Sequence, residues 1–176
     1  VSKQNNLIVI AAILAGAAGI FAQQFKASVP EKSEVSSTLF NTQLPDLTGK
    51  PQSLTQWRGK ILILNFWATW CPPCLSEIPE FIALQKQYAD KNVQFVGIAV
   101  DEKSPVAEYN SKVNINYPIL IAGDAGVDMS KAWGNVISSV PFTVVINPQG
   151  QIIHRQLGEI KREELLAIIQ PLLKAH

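Results

Sequence analysis

Cysteine is scarce in this sequence of 176 residues, which has two, Cys71 and Cys74, and no others. That excludes a disulfide-stapled scaffold and turns attention to the close pair itself, as redox or metal chemistry. Histidine is equally scarce, with only His154 and His176, far apart in the chain. Tetrahedral zinc needs two ligands beyond a Cys-x-x-Cys pair, and these histidines lack zinc-ribbon spacing. A purely structural bridge across two residues would close too small a loop to be an efficient staple. No metal and no cofactor are therefore expected, only a redox-active Cys71–Cys74 disulfide. The net charge is only +1, so nothing points to nucleic acid or to a strongly charged substrate. No internal repeat is visible.

What is abundant is apolar surface. Hydrophobic residues make up 47% of the chain, enough for one domain with a substantial core plus an appendage. Leu7 to Ala22 carries no charge, with Lys3 before it and Lys26 after. Its length lies just under that of a spanning helix and at the upper edge of a signal-peptide core. Residues 1–26 are therefore read as an uncleaved membrane anchor, with a cleaved signal as the alternative, and both imply export. Residues 27–38 are rich in Ser and charge without an apolar period, as in a flexible tether. The domain proper is taken as 39–176.

Within it, Leu39 to Lys60 reads as a small hairpin turning at Thr48 to Lys50, then a helical turn over Ser53 to Trp57. Ile61 to Leu64 is a continuous apolar run, as in a strand buried on both faces. After the cysteines, Leu75, Ile78 and Ile82, with Phe81, Leu84 and Tyr88, recur at helical spacing. Further on, strands are predicted over Val93–Val100, Tyr117–Ala122, Phe142–Asn147 and Gln151–Leu157. Helices are predicted from a Ser104 cap to about Lys112, over Asp128–Trp133, and from about Lys161 to Lys174. This order implies an α/β sandwich with a mixed central sheet flanked by helices.

The cysteines thus sit where a buried strand gives way to a helix. A helix N-terminus exposes unpaired N–H groups and the positive end of the macrodipole, both favourable to an anion. Cys71 takes the cap and Pro72 the first helical position, where its missing N–H costs nothing. A thiolate at Cys71 is therefore stabilised as a nucleophile, and Cys74, set back in the helix, suits a resolving thiol.

The stretch Phe66-Trp67-Ala68-Thr69-Trp70-Cys71-Pro72-Pro73-Cys74, followed by Glu77 and Pro79, resembles the active-site motif of thioredoxin-fold proteins of the TlpA/ResA/CcmG (DsbE) kind. The resemblance runs from about Phe40 to the C-terminus. It implies a thioredoxin fold with an N-terminal hairpin extension and a membrane-tethered thiol:disulfide oxidoreductase acting outside the cytoplasm. It also implies reduction of protein disulfides, apocytochrome c among them, with a membrane thiol relay as electron donor. By the same resemblance Pro141 is a cis-proline facing the cysteine pair, and the backbone of Val140 pairs with substrate as an added strand. The link Asn135 to Ser139 before it is longer than is usual in that family. Glu77, unremarkable if merely exposed on a helix, would relay a proton or tune thiol acidity. Thioredoxin's buried aspartate has Asn65 nearest its place here, which cannot titrate. Trp70 shields the site and contacts partners, unless it simply fills a packing gap.

Two rival readings differ in class. A peroxiredoxin-type peroxidase needs a Pro-x-x-x-Thr/Ser-x-x-Cys pattern, whose proline is missing before Cys71. A non-catalytic module would use the thiols only to bind, whereas an oxidant or isomerase would use the same dithiol in another direction. His154 reads as a surface residue, Met129 and Trp133 as core, and Lys161 to Glu164 as a solvated first helical turn.

Overall fold

The computed structural model describes residues 40–174, so the expected anchor (1–26) and tether (27–38) lie outside the described residues, as does His176. No helix among the described residues is long and apolar enough to cross a membrane. The described residues begin with a two-stranded antiparallel hairpin, β1 (Gln43–Pro45) and β2 (Pro51–Ser53), and a 3-10 turn over Leu54–Trp57. The Asp46 carboxylate closes the hairpin by accepting from Thr48 N–H, Thr48 Oγ1–H and Lys50 N–H. Those bonds favour its anion and hold its pKa at about 2.

The central sheet has the order β5-β4-β3-β6-β7. Its strands are β3 (Ile61–Trp67), β4 (Val93–Ala99), β5 (Ile119–Ile121), β6 (Phe142–Ile146) and β7 (Ile152–Leu157). β3 runs parallel to β4, and β4 to β5, while β6 is antiparallel to both β3 and β7. The two parallel crossovers carry α1 (Pro72–Tyr88) and α2 (Lys103–Val113). Then α3 (Ala125–Ala132) lies between β5 and β6, and α4 (Arg162–Leu173) closes the chain.

All seven residues of β3 are buried, as the apolar run predicts for a central strand. Side chains alternate across it. Leu62, Leu64 and Phe66 join Phe40, Leu54, Trp57, Val144 and Trp133 on one face. Ile61 and Ile63 meet Phe81, Leu84, Leu165 and Ile169, from α1 and α4, on the other. Each such side chain, fully removed from water, contributes roughly 1.5–3 kcal/mol before entropy is set against it. The sheet is thereby a rigid platform whose central strand ends at Trp67.

Several expectations shift. Ser104 does not cap α2, which begins at Lys103 with Glu102 at the cap position and no side-chain cap bond. The Glu102 N–H instead meets Asp101 Oδ1 at 2.8 Å. The helix placed at Asp128 starts at Ala125, and the strand placed at Tyr117 is reduced to Ile119–Ile121, the part that pairs with Gly97–Ala99. His154 is half-buried, because alternation along β7 turns it inward beside Val145, and its Nε2 is enclosed with no hydrogen-bond partner among the described residues. Trp133 is core as expected, and Met129 packs against it partly buried.

Gly97 makes room for Trp67 at the end of the platform. An added Cβ there would stand 2.9 Å from Trp67 Nε1 and 3.5 Å from Tyr117 Cε2. Both rings are buried, so neither can swing away freely. Gly97→Ala is expected to lower stability by about 1–3 kcal/mol, seen as a lower urea midpoint at unchanged slope. An unshifted midpoint would show that the Trp67 ring has room to yield.

Candidate active site

Beyond Trp67 the chain leaves the sheet through Ala68, Thr69 and Trp70. This turn is pinned from the neighbouring strand end by Asp101, whose Oδ2 accepts Thr69 N–H at 2.9 Å and Thr69 Oγ1–H at 2.5 Å. Cys71 follows as the N-cap of α1, with extended backbone at φ −104° and ψ 100°, and Pro72 is the first helical residue. Cys74 N–H, one of the helix's otherwise unpartnered donors, points at Cys71 Sγ at 3.3 Å. The two sulfurs are bonded, with an S–S distance of 2.09 Å and Cα atoms 5.3 Å apart. Cys71 is 4% exposed and Cys74 is fully enclosed, so of the pair only the first residue reaches solvent.

The Val140–Pro141 peptide bond is cis. Because Phe142 pairs with Phe66, Pro141 falls level with Trp67, beside the turn that carries the cysteines. Val140 packs against the cluster that contains Cys71, Cys74 and Trp67. The structure thus brings Val140 to the cysteine pair and sets Pro141 level with the strand end that leads into it. Trp70 is 65% exposed, so it fills no packing gap. Trp70 and Val140 also border a groove of about 440 Å³, whose other walls include Asp101, Glu102, Asp124 and Ser139.

Glu77 is not the exposed helix residue that a neutral reading would have it be. It is 1% exposed, one turn beyond Cys74 on the same buried face of α1. Its Oε1 accepts from Asn65 Nδ2 at 2.6 Å and its Oε2 from the Ile160 N–H at 3.2 Å. The same Asn65 amide reaches Thr143 Oγ1 at 3.1 Å, so the carboxylate is tied to β3, β6 and the loop before α4. Burial drives the Glu77 pKa up to about 7, and the charge of nearby Glu159 adds to this, against the pull of the two hydrogen bonds. Tyr117 is raised as well, chiefly by burial and then by the Glu77 charge.

The Asn65–Thr143 and Asp101–Thr69 contacts went unseen in the sequence, since each joins distant segments. Glu77 did leave a signal. The buried positions of α1 run Cys74, Glu77, Ile78, Phe81, Leu84, Gln85, Tyr88, so Glu77 lies on the apolar period itself. Among the described residues no group of three or more His, Cys, Asp or Glu is placed to hold a metal ion.

A Cys-x-x-Cys disulfide at the mouth of a helix, beside a cis-proline on a five-stranded mixed sheet, defines a thioredoxin-like thiol-disulfide oxidoreductase. The chain belongs to the Redoxin family, whose model matches residues 23–169. It is 32% identical over 167 residues to the thiol-disulfide oxidoreductase ResA of Bacillus cereus, spanning 93% of this chain and 94% of that protein. To ResA of Bacillus subtilis it is 33% identical over 129 residues, 73% of this chain and 68% of that one. A crystal structure of a thiol:disulfide interchange protein of the thioredoxin family from Chlorobium tepidum superposes with a TM-score of 0.67 at 31% identity, covering 75% of this chain and 92% of that one.

Burial of Glu77 makes stability depend on pH in a definite direction. Unfolded, this carboxyl ionises near 4.5, and folded near 7, so between these values the native state keeps a proton that the unfolded state has released. The native state is therefore favoured most below the unfolded value, and that advantage is lost as pH rises through the window, by about 3 kcal/mol in all. The oxidised protein is expected to lose stability by this amount between pH 4.5 and 8 in chemical unfolding, and Glu77→Gln to flatten the slope. A full slope retained in Glu77→Gln would assign the titration to another group.

Proposed function

We propose that this oxidoreductase is held at the cell membrane by its N-terminal segment and reduces protein disulfides outside the cytoplasm. Its clients would include the haem-binding cysteines of apocytochrome c during cytochrome c maturation. The export reading rests on the uncharged stretch Leu7 to Ala22, and the direction of transfer on kinship with ResA-type proteins. The observation that carries the chemistry is the asymmetry of the pair. Cys71 caps the helix and meets solvent, while Cys74 is sealed behind it next to a buried carboxyl group.

In the reduced enzyme the Cys71 thiolate, favoured by the helix N-terminus, attacks a client disulfide. One client sulfur leaves as thiolate and the other is held to Cys71 as a mixed disulfide. Cys74 must then lose its proton to attack Cys71 Sγ. Glu77, with a pKa of about 7, is matched to accept that proton near neutrality. The second client thiolate departs and the Cys71–Cys74 disulfide forms, so two electrons pass from enzyme to client. A membrane thiol relay returns two electrons to the pair. The client strand lies along the backbone of Val140 beside Pro141, with Trp70 against its other side.

With insulin as a model client, Cys71→Ser is expected to fall to the uncatalysed rate of reduction. Cys74→Ala should accumulate thiol-sensitive adducts through Cys71, which would name the natural client. Insulin reduction undiminished in Cys71→Ser would remove Cys71 as the nucleophile.

A further inference from the structure

The segment between α3 and Pro141 holds two apolar side chains in water on a fixed backbone. Val136 is 81% exposed and Ile137 65%, more than either of the exposed β7 residues Ile153 and Leu157. This is not loose chain. Gly134 enters the turn at φ +109°, where a Cβ would lie 2.6 Å from Arg155 Cδ, and Arg155 Nε donates to Trp133 O at 2.7 Å. Asn135 is 1% exposed and ties the turn together. Its Nδ2 donates to Ser130 Oγ at 3.0 Å and Ser139 O at 2.7 Å, and its Oδ1 accepts from Ser139 N–H at 3.2 Å. Between these anchors Ser138 stands at φ +56°, with its N–H on Asn135 O.

A turn so constrained cannot fold its apolar tips inward, and two adjacent β-branched side chains lose little rotamer freedom on contact. The flanking residues Asn135, Ser138 and Ser139 line the groove, whose remaining rim carries Asp101, Glu102 and Asp124. The ion pairs among the described residues are Lys112–Glu108, Lys131–Asp128 and Arg162–Glu80, so none of these three carboxylates is neutralised by a cation. Apolar tips beside uncompensated negative charge suit a cationic protein surface and oppose an anionic lipid surface.

We infer that the Val136–Ile137 turn is a docking knob for client proteins that present an apolar hollow bordered by lysine or arginine near their disulfide. This rests on the protein-disulfide reading above and adds to it a rule for choosing clients. The test uses the full chain in detergent micelles, reduced, with three probes. These are oxidised glutathione, a disulfide-cyclised peptide with Lys and Leu flanking its cysteines, and a matched peptide with Glu and Ser there. Wild type is expected to reduce the Lys/Leu peptide with a kcat/KM about tenfold above the Glu/Ser peptide. Val136→Ser/Ile137→Ser should erase most of that preference through KM, leaving kcat and the glutathione reaction unchanged. Glu102→Gln/Asp124→Asn should remove its salt dependence. An unaltered preference in the Val136/Ile137 variant, or an equal fall with all three probes, would overturn the knob while leaving the oxidoreductase reading in place. No Cys71-dependent exchange with any probe would sink both. Self-association that is lost in the variant, or quenching of Trp70 by brominated phosphatidylglycerol in reconstituted vesicles, would give the turn to a second copy or to lipid and overturn the proposal as well.

Discussion

The junction of β3 and α1 is the constraint on which the site depends. A strand buried along its whole length cannot shift or tilt without opening both halves of the core. The helix that follows must therefore begin at a fixed place, and Asp101 fixes it further by gripping Thr69 from the end of β4. A helix so held presents its first N–H groups in one direction, and the sulfur of Cys71 occupies that position. The cis-proline reaches the same place by a separate route, because β6 pairs with β3 in a register that stops at Phe66 opposite Phe142. Two distant segments of sequence thus meet through one strand.

The buried carboxyl of Glu77 is the second element, and its energetics run against stability. An ionised group inside the core costs several kcal/mol unless partnered, and two neutral donors offset only part of that. Replacing such a group with an apolar side chain of similar size is commonly neutral or stabilising. Its place, one turn behind Cys74, gives it a use if, as proposed, it takes the proton that Cys74 sheds. The Asn65 amide that donates to Glu77 cannot itself titrate. By bonding Glu77 and Thr143 together, it also holds the carboxylate in one orientation across three elements.

Much of this was legible in the residues. The apolar run before Cys71, the proline after it and the spacing of Ile78, Phe81, Leu84 and Tyr88 mark strand, cap and helix, because burial on two faces and on one stripe leave different periods. The resemblance supplied Pro141, whose cis bond no local pattern reveals. What stayed hidden was set by pairing across long separations. Asn65 meets Thr143 because β6 runs antiparallel to β3, and nothing in either segment shows the register. His154 was misplaced because an alternating edge strand does not say which alternate faces inward until its neighbour is known. Helix starts slipped by a few residues where no side chain caps the backbone, as at Glu102 and Asp124.

The near-complete burial of both cysteines bears on selectivity. A disulfide approaching Cys71 finds an opening too small to provide binding energy of its own. Whatever holds a client long enough for exchange must lie around the sulfur. Beside it stand the exposed indole of Trp70 and the side chain of Val140, which border a groove rimmed by Asp101, Glu102 and Asp124. Under the proposals above, chemistry and recognition are carried by separate groups. On the proposed reading the thiol pair and Glu77 set how fast electrons and protons move, whereas the surrounding surface sets which protein is present when they do. A small disulfide samples only the first set, and a protein client samples both, so preference among clients can change without any change in the chemistry at the sulfurs.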